Sequence, residues 1–222
     1  MAAPKKKHRS NPEWIKRHVT DPYVRRSVQE GFRSRAAYKL SEIADAERLL
    51  KPGMVVVELG AAPGSWTQVV RQRLSAGGAF RGRIVALDLL PMVPVPEVDF
   101  IQGDFREEAV EAQLAALLAG APVDVVLSDM APNLSGIAAA DAARSLDLAE
   151  LAADFAVRHL KPDGVFVVKA FQGSGYSQFV EHLKRCFRTV ATRKPAASRE
   201  SSAEVYLLAR GVRPTAPLAA DP

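Results

Sequence analysis

The chain has 222 residues, 48% of them hydrophobic, enough to bury one substantial core as one domain. Its single cysteine, Cys186, excludes an intramolecular disulfide framework and a cysteine-cluster metal site, and no apolar stretch approaches the roughly 18 residues of a membrane span. The net charge of +5 is uneven: residues 1–40 hold 11 Lys/Arg against 3 Asp/Glu, a balance of +8 that leaves −3 for the remainder. No apolar h-region follows the basic N terminus, so the expectation is a cytoplasmic chain, neither secreted nor membrane-bound.

In chain order, Lys5, Lys6, Lys7, His8 and Arg9 open a solvated basic arm over residues 1–20. Residues 22–31 and 35–50 read as helices, with Asp21 and Ser34 as N-caps. Arg25, Arg26, Arg33 and Arg35 carry the positive charge onto these helices, with Tyr23, Phe32 and Tyr38 interleaved. Charge of one sign on a structured element points to a polyanion, and these four arginines are the candidate nucleic-acid contacts.

Apolar, β-branched runs then alternate with helical patterns. Strands are expected at 54–60, 83–90, 98–105, 123–130 and 164–171, and helices at Ser65–Leu74, Glu107–Leu118, Ala140–Leu160 and Tyr176–Phe187. Two final strands, RTVATRK and SAEVYLLARG, are separated by a linker too short for a crossover helix and should pair antiparallel. The pattern predicts an α/β fold: a seven-stranded, mostly parallel sheet with one antiparallel strand at its end and helices on both faces. One domain is expected over 21–212, with a proline- and alanine-rich tail at 213–222.

Chemistry begins after the first strand. In VVVELGAAPGSW, Gly60 and Gly64 let the backbone approach a ligand while amides at a helix start face it. GAAPG lacks the full G-x-G-x-x-G of dinucleotide binders. What strengthens it is an acid ending each following strand: Asp88 in ALDLLP, suited to ribose hydroxyls, and Asp104 in QGDF, suited to an adenine amino group, though an isolated Asp104 also reads as a turn or N-cap residue. Lys39, Asp129, Lys169 and Glu204 are four further charges that an α/β fold would gather beside this loop, and three of them sit in apolar strand-like runs where an unpaired charge is costly. His8, His18, His159 and His182 are dispersed, and no metal site is expected.

GAAPGSW, VALDLLPM, FIQGDFR, SDMAPNLSG, VVKAFQG, SRESSAEVYLLA and RSRAAYKL together resemble the FtsJ/RrmJ family of S-adenosylmethionine-dependent ribosomal RNA 2′-O-methyltransferases, over about residues 11 to 212. The resemblance implies a Rossmann-like S-adenosylmethionine-dependent fold and a catalytic tetrad of Lys39, Asp129, Lys169 and Glu204. It implies cofactor contacts at Gly64, Trp66, Asp88, Asp104 and Asp129, to which the loop reading adds Gly60. The implied substrate is a uridine ribose of large-subunit ribosomal RNA, in the assembled or assembling subunit, bound by a monomer with no DNA or membrane partner. Two positions depart from the family pattern: Glu58 stands where Asp is common and Ser65 where a second glycine is common.

Methyl transfer to a ribose hydroxyl needs an aligned oxygen relieved of its proton, and Lys169 is the candidate either for taking that proton or for stabilising the alkoxide. Amino-directed base methylation would call for an [ND]-P-P-[FY] loop where this chain has SDMAPN, and GAAPG disfavours a nicotinamide-dependent oxidoreductase. The second reading is an RNA-binding ribosome-assembly factor that retains a methyltransferase fold with a vestigial pocket.

Overall fold

The computed structural model describes residues 20–132, 136, 138–199 and 202–214, with 138 and 139 described by backbone alone. Nearly all of the expected basic arm and most of the expected tail lie outside the described residues.

Among the described residues two complete helices precede the sheet. Helix α1 (Pro22–Gln29) starts as expected at Asp21, whose carboxylate accepts the Tyr23 amide hydrogen, with proline at the first helical position. In α2 (Ala36–Glu47) the cap position falls on Arg35, one residue later than expected, although the Ser34 hydroxyl still accepts the Ala36 N–H. Arg48 ends α2 in a left-handed turn, φ 49°, three residues before the expected end.

The sheet is built from β1 (Val55–Leu59), β4 (Arg83–Asp88), β5 (Asp99–Gln102), β6 (Val123–Ser128), β7 (Leu160–Phe171), β8 (Phe187–Arg193) and β9 (Glu204–Val212). Between β1 and β4 lie α3 (Ser65–Arg73) and a small hairpin of β2 (Ser75–Ala76) and β3 (Ala79–Phe80) that the sequence reading missed. Its signal was present: Gly77 and Gly78 both take positive φ, 60° and 80°, as a two-residue hairpin turn requires. The remaining helices are α4 (Glu108–Leu118), α5 (Ala138–His159) and α6 (Tyr176–Cys186). No helix among the described residues is long and apolar enough to cross a membrane.

The spatial order is β5-β4-β1-β6-β7-β9-β8, parallel throughout except for β9, which runs antiparallel to both neighbours. The final strand therefore lies inside the sheet, with β8 at the edge. Strand parity divides the core. Val56, Ile84, Val125, Leu127, Val167 and Leu208 face α2 and α3, whereas Val57, Val85, Val126, Phe166, Val168 and Leu207 face α4, α5 and α6. Cys186 is the last residue of α6 and packs half-buried against the second of these layers.

One buried carboxyl sits in the middle strand. Glu58 is 1% exposed; its Oε2 accepts the Thr67 hydroxyl at 2.7 Å, and its Oε1 has no hydrogen-bond partner. Burial, reinforced by the nearby Asp129 and Asp88, pushes this carboxyl up to about 8. Folded protein thus holds a proton on Glu58 that unfolded chain releases above about pH 4.5, so stability declines as pH rises from there to about 8. Glu58→Gln should remove this dependence. Between pH 5 and pH 8 the parent Tm should fall roughly 10 °C further than the variant's; parallel melting curves across that range would contradict the assignment.

Candidate active site

The carboxyl ends of β1, β4, β5 and β6 open onto one cleft of about 450 Å³, at the point where the chain switches from one side of β1 to the other. Gly60, Asp88, Asp104 and Asp129, all picked out from the sequence, line it together with Leu89, Leu90 and Met130. A Cβ at Gly60 would lie 2.7 Å from the Met130 amide nitrogen, so only glycine lets β1 and the β6 loop meet in the cleft floor. Asp88 is held by two backbone amides, Ala62 to Oδ2 at 2.8 Å and Leu90 to Oδ1 at 2.7 Å. Asp104 is engaged by Arg106, whose amide, Nε and Nη2 all donate to its carboxylate; these bonds hold it below the usual aspartate range. That partner was not foreseen.

Beside the cleft, four charged side chains from distant parts of the chain come together as two linked ion pairs. Lys39 Nζ lies 2.6 Å from Glu204 Oε1, and Lys169 Nζ donates to the Asp129 carbonyl at 2.6 Å and lies 3.1 Å from its Oδ1. Strand parity explains the meeting. Lys169 follows Val165 and Val167 on the α2/α3 face of β7, and Glu204 precedes Tyr206 and Leu208 on the same face of β9. Register then sets Lys169 opposite Tyr206 and Phe171 opposite Glu204, while α2 brings Lys39 over the same spot.

Tyr206 is the principal residue the sequence reading missed. Its hydroxyl donates to Asp129 Oδ1 at 3.1 Å, its ring packs on Trp66, and Lys39 Nζ stands 5.9 Å from the ring centroid. Burial, then the carboxylates of Asp129 and Glu204, push the phenol well above its ordinary value, so it remains a donor at neutral pH. A strand places residues i and i+2 on one face, and that rule applied to Glu204 would have found it. For Glu204 itself burial favours the neutral acid, but Lys39, aided by Lys169 and the Ser198 hydroxyl, outweighs burial and holds the group below the usual glutamate range.

Four expected site residues, Trp66, Gly64, Arg33 and Arg35, stand apart from the cleft lining. Trp66 is 2% exposed and does not line the cleft; its indole N–H donates to the Ala36 carbonyl, so the ring joins α3 to α2. Gly64 does not line the cleft either: a Cβ there would collide with the Arg33 guanidinium and meet Met92 Sδ at 2.8 Å. The first amides of α3 nonetheless lack intrahelical partners, so a ligand contact at Gly64 or Trp66 would run through the main chain. Arg33 is turned inward, donating to the carbonyls of Pro63, Val93 and Pro94 at 2.6–3.0 Å. Arg35 is tied to the Asp21 carboxylate and the Ala197 carbonyl. Arg25 and Arg26 stay exposed, Arg26 pairing with Glu30 and lying over the Tyr38 ring. Two of the four arginines, both half-buried, therefore brace neighbouring loops through their guanidinium groups. Among the described residues no group of His, Cys, Asp and Glu is arranged to hold a metal ion.

Residues 32–212 match the profile of the FtsJ-like methyltransferase family. The chain belongs to this family. Over 208 residues this FtsJ-like methyltransferase is 57% identical to the ribosomal RNA large subunit methyltransferase E of Bordetella parapertussis, covering 93% of the chain and 99% of that relative. The protein of the same name from Burkholderia mallei is 55% identical over 215 residues, covering 93% and 98%. Among solved structures, a ribosomal RNA methyltransferase from Plasmodium falciparum superposes with a TM-score of 0.72 at 31% identity, covering 82% of this FtsJ-like chain and 98% of that one. The mostly parallel seven-stranded sheet is the Rossmann-like methyltransferase fold.

Proposed function

We propose that this FtsJ-like methyltransferase transfers the methyl group of S-adenosylmethionine to the 2′-hydroxyl of a uridine ribose in large-subunit ribosomal RNA, within the assembled or assembling subunit. The observation that carries the reading is a pair of lysine–carboxylate contacts, Lys39–Glu204 and Lys169–Asp129, abutting the cleft through a shared residue, Asp129. The names of the 55–57% identical relatives support the large-subunit RNA substrate.

The cleft suits the cofactor. Its volume, about 450 Å³, falls within the usual range of small-molecule sites, and the side-chain-free floor at Gly60 admits a ligand against the backbone. Asp88 keeps lone pairs for ribose hydroxyls beyond its two amide bonds. Asp104 is placed to take an exocyclic amine in exchange for Arg106. When bound, the cofactor supplies a sulfonium-activated methyl carbon open to in-line displacement.

The protein's task is to position and stabilise the attacking oxygen. A lysine ammonium has three protons, and Lys169 spends two on the Asp129 carbonyl and carboxylate. The third serves the 2′-oxygen: it stabilises the alkoxide that forms as the hydroxyl proton leaves to water, a charge that methyl transfer then neutralises. Asp129, itself held by Tyr206, keeps the ammonium in place at the cleft edge. Lys39, locked by Glu204, adds a second cation beside the same oxygen.

The test is transfer of labelled methyl from S-adenosylmethionine to large ribosomal subunits lacking the modification, followed by alkaline hydrolysis. A 2′-O-methyl group removes the nucleophile that cleaves the adjacent phosphodiester, so the label should survive in an alkali-resistant dinucleotide. Label in mononucleotides would mean base methylation and would overturn the proposed roles of the lysines.

A further inference from the structure

The turn preceding β9 presses a buried hydroxyl against the tetrad. Ser198, 6% exposed, donates to Glu204 Oε1 at 3.0 Å, the same oxygen that receives Lys39 at 2.6 Å. We infer that Ser198 is a positioning residue for the reaction, its hydroxyl locking the Glu204 carboxylate in the one orientation that aims the Lys39 ammonium at the ribose oxygen. The inference rests on the reading of Lys39 and Glu204 as part of the reacting centre.

The surroundings of Ser198 are built to hold that hydroxyl still. Its own amide closes a turn on the Pro195 carbonyl at 2.8 Å. Glu42 of α2 accepts the amides of Ala196 and Ala197 at 2.6 and 3.1 Å, and Arg35, itself paired with Asp21, donates to the Ala197 carbonyl. On the far side Lys194 reaches the carbonyls of Ser202 and Glu204, and the Ser202 hydroxyl accepts the Glu204 amide at 3.2 Å. Both donors to Oε1 are therefore referenced to one helix: Lys39 sits on α2, and Ser198 hangs from α2 through Glu42.

A carboxylate held by a flexible lysine and by the Tyr206 hydroxyl, which is shared with Asp129, can still swing about its own χ angles and carry the ammonium with it. A further donor from a rigid turn removes that freedom. A hydrogen bond to a charged group is strong enough for its loss to cost roughly tenfold in rate when the orientation matters. The same hydroxyl helps keep Glu204 ionised, so its removal shifts the Glu204 titration toward higher pH.

The experiment compares the parent with Ser198→Ala, Ser198→Thr and Glu204→Gln, measuring kcat, KM for ribosomal subunits, the pH profile of turnover, and Tm. Ser198→Ala should lower kcat roughly tenfold with KM nearly unchanged and move the acidic limb of the profile upward, while Ser198→Thr restores both. If the alanine variant melts below the assay temperature, Ser198→Cys keeps the size without the strong donor and gives the same readout. Turnover within a few-fold of the parent for Ser198→Ala, alongside a large loss for Glu204→Gln, would overturn the inference and leave the methylation reading standing. A loss in Ser198→Ala with an unmoved pH profile and no rescue by threonine would reduce Ser198 to a packing role. An unaffected Glu204→Gln would overturn the tetrad reading and this inference with it.

Discussion

Replacing Lys169 with methionine should lower single-turnover methyl transfer by roughly a thousandfold or more while cofactor affinity stays within a few-fold of the parent. The side chain is only 8% exposed, and methionine matches its aliphatic stem, so the substitution removes the cation without opening a void. What disappears is the ammonium proton assigned to the 2′-oxygen and the anchor of the Asp129 carboxylate. Asp129 retains the Tyr206 hydroxyl and is 20% exposed to the cleft, so it is not left wholly unpaired and the fold should survive. Calorimetric titration with S-adenosylhomocysteine reads the cofactor side, and quenched-flow transfer to ribosomal subunits reads the chemistry. A variant that binds cofactor normally and still turns over within a few-fold of the parent would make the Lys169–Asp129 pair a structural salt bridge.

The second large effect belongs to Gly60→Ala. Gly60 has φ 80°, and an added Cβ would stand 2.7 and 2.8 Å from Met130 N and Cα and 3.0 Å from Asp129 C. All three obstacles are backbone atoms of the loop after β6, which cannot swing aside as a side chain would. Relief requires β1 and the β6 loop to part, and these form the cleft floor. The expected result is a loss of cofactor affinity of roughly a hundredfold together with about 2–3 kcal/mol of stability. Gly53→Ala supplies the contrast: φ is 95° but nothing lies within 4 Å of the added methyl, so only backbone strain of about 1–2 kcal/mol is expected, with cofactor binding unchanged. Equal behaviour of the two variants would show that close approach at Gly60 is unimportant.

The contrast between what was legible in the sequence and what was not follows from the range of each interaction. Alternating apolar runs and helical periods are local, and they yielded all seven strands of the main sheet and the six described helices within a few residues at their ends. The meeting of the four charges was legible because ionised groups inside apolar strands demand partners, and because the motifs around them resemble one family. The inward turn of Arg33 and Arg35 was hidden. A guanidinium reads as surface charge in sequence, and only tertiary structure brings the Val93 and Ala197 carbonyls, 60 and 162 residues away, within its reach. The direction of the Trp66 side chain was hidden for a related reason: its motif lies beside the glycine loop, but a helix turns successive residues in different directions, and position 66 points to α2. The place of β9 within the sheet was equally invisible, since a hairpin with β8 is compatible with either strand lying outermost.

That placement of β9 has a consequence for how the protein becomes active during synthesis. Its β7 and β8 neighbours emerge from the translating ribosome first, yet they are joined only through a strand still to be made. A nascent chain with residues up to 203 exposed carries Lys39, Asp129 and Lys169 but has neither Glu204 nor Tyr206, and its Ser198 hydroxyl has no carboxylate to hold. Threading the last strand between its two waiting neighbours closes the sheet and delivers the missing acid and phenol in one movement. A chain that stops before β9 thus lacks two of the groups in the proposed reacting centre, and both arrive only as the sheet is completed.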